Sequence, residues 1–339
     1  MEDMTPCLHP RLVNDPFQDP ALYIDFLYQR RAILFDIGDI TALATRQIHK
    51  ISDVLVSHTH VDHFIGLDHM IRLFLGRDKR LTICGPPGII GNVAGKLSAY
   101  TWNLVDNYES QFEIRVVEIH PDHLKQAIFR CHKVFEQEKL SEKPPFKGLI
   151  IDEEGFLVRA VNLDHDTACL AFCIEERFHI NIKKDRLDAL GLQAGPWLNH
   201  LKRAITQERP DDYPLLIPNA GTQEGQKEIT LGWIKEKDLF SVSRGQKIAY
   251  VVDIGYTEKN LSRLVPVISG ADYLFCEAAF LEKDRNIAEK KFHLTARQAG
   301  LIAKKAGVRK LIPFHFSPRY QGYAHLLFQE AEEAFAESL

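Results

Sequence analysis

One short stretch of this chain, Ser57-His58-Thr59-His60-Val61-Asp62-His63, places three imidazoles and a carboxylate within six positions. Side chains two apart in extended backbone share a face, so His58 and His60 can hold one metal ion. Asp62 and His63 follow where a strand gives way to a helix start, and the turn aims them at a second position nearby. Neutral imidazoles with a hard carboxylate suit Zn²⁺, with Mn²⁺ or Fe as alternatives. The competing reading is a patch of surface histidines, for the chain has 15 of them in 339 residues. A cluster this dense, directly after a buried strand, favours ligation.

Two metal sites need more ligands than these four. Three residues at strand ends qualify: His165 in Leu163-Asp164-His165-Asp166, Asp253 after Tyr250-Val251-Val252, and His315 in Ile312-Pro313-Phe314-His315. Each alone is better explained as a strand cap. Beside the first motif they complete a set that can bind metal.

The elements that must position these residues read as an alternation of strands and helices. Strands are expected at Arg31–Asp36, Val54–Val56, Leu81–Cys84, Val161 onward through Cys169–Cys173, Ile248–Val252, Tyr273–Cys276 and Lys310–Pro313. Helical spacing runs from Phe64 to Leu75 and from Thr295 to Ala306. Pro6, Pro10, Pro16 and Pro20 predict an irregular arm before the first core element. Residues 183–214 are polar and basic, punctuated by Gly191, Gly195, Pro196, Pro210 and Pro214, and read as an insertion projecting from the core.

Composition bounds the reading without deciding it. The chain is 45% hydrophobic and 26% charged, with a net charge of −4, which is ordinary globular material and argues against a polycationic nucleic-acid binder. The longest apolar run, Ala168–Ile174, is far short of the ~18 residues of a membrane span. The acidic start Met1-Glu2-Asp3-Met4 shows no secretory signal, so a cytoplasmic protein is expected. The cysteines at 7, 84, 131, 169, 173 and 276 form no CxxC pair, and Cys169 and Cys173 read as buried thiols.

The motifs together resemble the metallo-β-lactamase superfamily, whose pattern is HxHxDH followed by a distant His, an Asp and a final His. More narrowly they resemble its ribonuclease Z branch, the tRNA 3′-end processing endonucleases. The resemblance runs from about Arg31 to Tyr320. It includes Phe35-Asp36-Ile37-Gly38, Ser57–Gly66, Gly85-Pro86-Pro87-Gly88 and Asn162-Leu163-Asp164-His165. It continues through Cys276-Glu277-Ala278-Ala279-Phe280, His293-Leu294-Thr295 with its trailing Gln298-Ala299-Gly300, and His315-Phe316-Ser317-Pro318-Arg319-Tyr320. The chain departs from the branch in lacking the glycine-rich opening strand, in Ile254-Gly255 after Asp253, and in Cys276 before Glu277.

The resemblance implies an α/β fold, the αββα sandwich of two mixed sheets with outer helices, as one catalytic domain over 1–339. It implies one Zn²⁺ on His58, His60 and His165, another on Asp62, His63 and His315, and Asp253 bridging. Two such ions, less the charges of Asp62, Asp253 and a bridging hydroxide nucleophile, leave one positive unit to face a phosphodiester's single negative charge. His293 would protonate the leaving oxygen, oriented by Glu277; a helix cap and a lysine-paired strand end are the respective alternatives. Residues 183–214 resemble the arm that grips tRNA: Lys183, Lys184, Arg186, Lys202 and Arg203 would meet phosphates, Gly195-Pro196 would set a turn, and Trp197 would stack on RNA. The competing view is a helical hairpin burying Leu187, Leu190, Trp197, Leu198 and Leu201 under solvated lysines.

The function implied is a zinc endoribonuclease removing the 3′ trailer of precursor tRNA as a homodimer, with neither DNA nor a membrane as partner. Another phosphodiester such as a cyclic nucleotide, or an ester, remains open, as does a silent RNA-binding scaffold. The Gly91–Leu97 stretch fails as a phosphate loop, having Leu97 where Ser or Thr should hold magnesium. His120-Pro121-Asp122-His123 reads as a solvated loop.

Overall fold

The computed structural model describes residues 8–27, 29–105, 108–140, 142–218 and 226–337, so Pro6 and Cys7 lie outside the described residues. These form two compact units. The larger comprises Leu8–Ile151, Val158–Ile174 and Lys247–Leu339.

Its first sheet is mixed and runs in chain order: β1 (Leu8–Leu12), β2 (Leu22–Phe26), β3 (Ala32–Phe35), β4 (Ile51–Leu55), β5 (Lys79–Gly85), β6 (Phe112–Ile119), β7 (Leu124–Arg130) and β8 (Gln137–Lys139). Strands β3 to β6 pair in parallel, and the flanking pairs are antiparallel. The second sheet has the order β18-β17-β16-β11-β10-β9, built from β9 (Leu149–Asp152), β10 (Phe156–Asp164), β11 (Ala168–Glu176), β16 (Lys247–Val251), β17 (Tyr273–Glu277) and β18 (Leu311–Phe314).

The proline-rich start is not an irregular arm. Residues 8–12 and 22–26 pair as β1 and β2, with Pro10 opposite Ile24. Proline lacks the N–H a central strand would need, and β1 lies at the sheet edge, where that donor is dispensable.

Alternation along β3 shows how the layers are made. Ala32 and Leu34 face a core with Ile48 of α1 (Thr45–Lys50), Met70 and Phe74 of α3 (Leu67–Phe74) and Val93 of α4 (Ile89–Ser98). Phe35 faces the second sheet, its ring centroid 5.7 Å from those of both Tyr250 and Phe172. With both faces covered, all four β3 residues are buried, and the side chains of Ile33, Leu34 and Phe35 contribute roughly 1.5–3 kcal/mol each. The outer face of the second sheet carries α8 (Glu258–Ile268), α10 (Ala296–Lys305) and α11 (Ala324–Ala336), packed through Leu264, Ile302 and Leu327. Helix, sheet, sheet and helix follow in layers, as the motifs implied. No helix among the described residues is long and apolar enough to cross a membrane.

The smaller unit comprises Asp152–Leu157 and Glu175–Gln246, wider on both sides than the expected insertion at 183–214. It holds β12 (Phe178–Ile182) paired with β15 (Phe240–Arg244) and β13 (Pro214–Pro218) paired with β14 (Gln226–Thr230). Around them lie α5 (Lys184–Ala189), α6 (Trp197–Thr206) and α7 (Leu231–Glu236). Leu187, Trp197, Leu201, Leu215, Ile229 and Ile234 make its own core.

Helices α10 and α11 cross at Gly300, where an added Cβ would lie 2.4 Å from the Ala331 carbonyl oxygen and 2.7 Å from the Ala334 methyl. Alanine favours helix over glycine by about 1 kcal/mol, but overpacking costs about 1–3 kcal/mol. Gly300→Ala is therefore expected to lower the melting temperature despite its better propensity. A thermal melt showing an unchanged or higher value would contradict this packing.

Candidate metal centre

Each candidate ligand sits at or beyond the end of a regular element. After β4, Ser57 to His60 lead into α2 (Val61–Phe64), with extended backbone at His60, and the imidazoles of His58 and His60 approach to 4.3 Å between centroids. The expected Phe64–Leu75 helix is broken at Gly66. Its N–H donates to the Ile37 carbonyl, and a Cβ there would lie 2.2 Å from the Gly38 carbonyl oxygen. Gly38 returns the constraint: its Cβ would meet the Asp62 carbonyl at 2.4 Å. The two glycines let the exit of β3 press against the histidine-bearing loop, and Ile37 N–H completes the contact with the His63 carbonyl at 2.9 Å.

The other candidate ligands arrive from the second sheet. His165 follows β10, Asp253 follows β16 and His315 follows β18. Asp253 and His315 adopt positive φ, 51° and 57°, which turns their side chains out of the strand direction at a conformational cost of about 1–2 kcal/mol each. Three groups of ligand atoms result, each within 4.8 Å: His58, His60, His165 and Asp253; Asp62, His63 and His315; and Asp253, Glu277, His293 and His315. All seven residues expected as ligands are gathered, with Asp253 and His315 each in two groups. The groups of this kind among the described residues all belong to this one centre.

The donors suit a metal. Nε2 of His58 and of His63, Oδ1 of Asp253 and Nδ1 of His315 are buried without a hydrogen-bond partner, a cost that a bound cation would offset. Burial, with His63 second, pushes the His58 pKa down to about 2, leaving a neutral ring with a free lone pair. His63 is the opposite case. Burial disfavours its charge, but Asp253 and Asp36 outweigh that and hold its pKa well above the usual value. A metal ion entering there would displace a proton held by surrounding carboxylates.

The orientation of the rings is set one layer out. His63 Nδ1 donates to Asp36 Oδ2 at 2.8 Å, directing Nε2 toward Asp62 and Asp253. Asp36, fully buried with φ of 54°, also accepts from the Ser57 N–H at 2.6 Å, the Ser57 hydroxyl at 2.8 Å and the Tyr250 hydroxyl at 2.9 Å. His165 Nδ1 donates to the Phe292 carbonyl at 2.7 Å. Glu277, fully buried, accepts from the Ile254 N–H at 2.7 Å and from His293 Nδ1 at 2.8 Å, so no lysine pairing is needed to explain it. Burial opposes charging His293, yet Glu277 and Asp253 push its pKa up to about 9.

Comparison with known proteins fits this geometry. A family model described as a beta-lactamase superfamily domain matches residues 216–316, the stretch holding Asp253, Glu277, His293 and His315. Ribonuclease Z of Deinococcus radiodurans is 28% identical over 320 residues, 93% of this chain and 91% of that protein. Ribonuclease Z of Methanothermobacter thermautotrophicus is 26% identical over 310 residues, 89% and 82% of the two. The chain resembles ribonuclease Z along nearly its whole length and has the metallo-β-lactamase fold. The crystal structure of human tRNase Z, short form, superposes with a TM-score of 0.50 at 16% identity, covering 93% of each chain. The metallo-β-lactamase fold protein YhfI of Bacillus subtilis does so with 0.52 at 15%, covering 94% of this chain and 87% of its own. At such identities these two likenesses speak for the fold alone.

Other sequence-marked residues fall elsewhere. Trp197 is buried in the smaller unit's core, its Nε1–H donating to the Gln193 carbonyl, so its ring is not offered for stacking on RNA. Leu190, expected in that core, is 37% exposed. Lys183 pairs with Asp238 at 2.6 Å, Lys184, Arg186 and Arg203 are exposed, Lys202 is half-buried, and Gly195-Pro196 leads into α6. Gly91–Leu97 is helical within α4. His120 and His123 stack at 4.4 Å and pair with Glu118 and Asp122 respectively. Asp36 was not among the expected site residues, although an aspartate ending a wholly apolar strand must find buried donors or cost several kcal/mol.

Asp36→Asn keeps the shape and the acceptor oxygen but removes the charge that fixes the His63 ring. Metal affinity is expected to fall about 10–100-fold, read by chelator competition on protein that still melts cooperatively. Unchanged affinity would show that His63 needs no such orienter.

Proposed function

We propose that this protein is a metal-dependent endoribonuclease of the ribonuclease Z type, removing the 3′ trailer of precursor tRNA with two zinc ions. The observation that carries the reading is the pairing of two adjoining metal-ligand groups with a carboxylate-held His293. The full-length resemblance to ribonuclease Z supplies the substrate class. His58, His60, His165 and Asp253 would hold one ion, and Asp62, His63 and His315, with Asp253 shared, the other. Divalent ions there supply Lewis acidity toward the phosphodiester and lower the pKa of water.

The chain's own residues do the rest. Glu277 engages Nδ1 of His293, so Nε2 is the atom that carries a proton to the departing ribose oxygen. Asp36 and the Phe292 carbonyl keep His63 and His165 in the tautomers that present Nε2 inward. The exposed Lys184, Arg186 and Arg203, with Lys183 and Lys202, offer the smaller unit a means of meeting RNA phosphates, and Gly195-Pro196 shapes the turn before them. In this reading the protein works as a homodimer.

Purified protein should cut a 3′-extended precursor tRNA once, near the discriminator base, and lose that activity in His60→Ala or after chelation, with zinc restoring the chelated enzyme. His293→Ala should lower kcat on tRNA by about 10²–10⁴. Its effect on bis-(4-nitrophenyl) phosphate should be much smaller, because nitrophenolate departs without a proton. Turnover of the small diester with no cut in tRNA would keep the hydrolase chemistry and remove the tRNA reading. Equal losses on both substrates in His293→Ala would remove the proton-donor role.

A further inference from the structure

Two clefts open onto the metal centre. One, of about 380 Å³, is bordered by His60, His165 and Thr167; the other, of about 260 Å³, by Asp62, His315 and Phe280. Among the described residues lining them, Lys291 and His293 alone belong to both. They form the saddle between the clefts.

The saddle is held firmly. Helix α9 (Arg285–Lys290) ends in a closed turn: Lys291 N–H donates to the Ile287 and Ala288 carbonyls, Phe292 takes a φ of 56°, and His293 N–H returns to the Ala288 carbonyl at 2.9 Å. This 6→1 closure usually has glycine at the left-handed position. Here Phe292 accepts that conformation, and its carbonyl takes the His165 Nδ1–H. His293, on the other side of Phe292, is tied to Glu277. Lys291 is therefore bracketed by backbone fixed to the centre, with its ammonium exposed and, among the described residues, without a carboxylate partner.

We propose that Lys291 binds the phosphate next to the scissile one, as a single RNA strand crosses from one cleft to the other. This rests on the ribonuclease reading above and adds a positioning residue to it. The scissile phosphate must lie against the metal-ligand groups and within reach of His293. A strand that continues past His293 in either cleft then passes Lys291 on the rim. An unpaired ammonium there meets one negative charge per nucleotide, and Lys serves as a point charge for phosphate without demanding one orientation. Lys290 borders the first cleft alone, so it does not share this position.

The test uses the full chain loaded with zinc and a precursor tRNA with a single-stranded trailer. Lys291→Ala is expected to raise KM about ten-fold at low salt, with a smaller change in kcat. It should also flatten the dependence of log KM on log salt by about 0.7, the share of one phosphate contact on a single strand. Lys291→Arg should restore both. Lys305→Ala, which removes an exposed cation from α10, should change neither. A lysine that merely stabilises the α9 C-terminus would lower the melting temperature and leave the salt slope as in wild type, which would overturn the assignment. So would an unchanged KM in Lys291→Ala while wild type cuts the precursor. A wild-type enzyme that cuts no RNA, yet turns over bis-(4-nitrophenyl) phosphate, sinks the ribonuclease reading itself and the assignment with it.

Discussion

The structure turns on one buried carboxylate. Asp36 directly follows β3 of the first sheet and accepts four hydrogen bonds, from the Ser57 backbone and hydroxyl, from His63 and from Tyr250. Ser57 begins the histidine loop, His63 belongs to one of the candidate ligand groups, and Tyr250 lies on β16 of the opposite sheet. A charge in that position costs far more than the fold can spare unless it is fully bonded. Those bonds exist only when both sheets and the loop are in place. The same interaction that lets the sandwich close also orients the imidazole that the metal centre needs.

Part of the chain's conformational strain lies at the same place. Asp36, Asp253, Phe292 and His315 all take positive φ, a region that non-glycine residues enter at a cost. Each sits where a strand or helix stops, and each delivers an oxygen or nitrogen to the centre or to one of its histidines. Regular β structure would point these side chains into the interior between layers, along the sheet normal. At Asp253 and His315 the left-handed backbone instead brings the side chain into the candidate ligand groups. Packing of Phe35 on Tyr250 and of the helices on each outer face supplies the stability that holds such backbone.

How legible this was in the sequence depended on whether a residue acts by its type or by its surroundings. His58, His60, Asp62 and His63 announce themselves by density, and His165, Asp253 and His315 by standing at the ends of apolar strands. Strands β3, β4, β5, β16, β17 and β18 were legible because both faces are covered and their apolar runs are short and bounded. Strand β1 was hidden by Pro10, which an edge tolerates, and β2 by Pro16 and Pro20 in the stretch before it. Asp36 carried a local signal, a carboxylate ending an apolar strand, but its partners Ser57, His63 and Tyr250 are distant in sequence, so its link to the site was hidden. Trp197 misled for the converse reason. Its neighbouring basic residues suggested a nucleic-acid contact, whereas the smaller unit needed a large side chain to fill its own core.

The central claim is that Asp253, grouped with His58, His60 and His165 and within 3.3 Å of His63, joins that group and the group of Asp62, His63 and His315 into one dinuclear centre. Metal content of the purified protein after zinc loading and exhaustive dialysis tests it most directly, measured by elemental mass spectrometry beside an Asp253→Asn variant. The account predicts two ions per chain in the wild type, one for each group, and loss of both at once when the shared carboxylate loses its charge. One ion or none in the wild type, or a variant that still retains two, would contradict it.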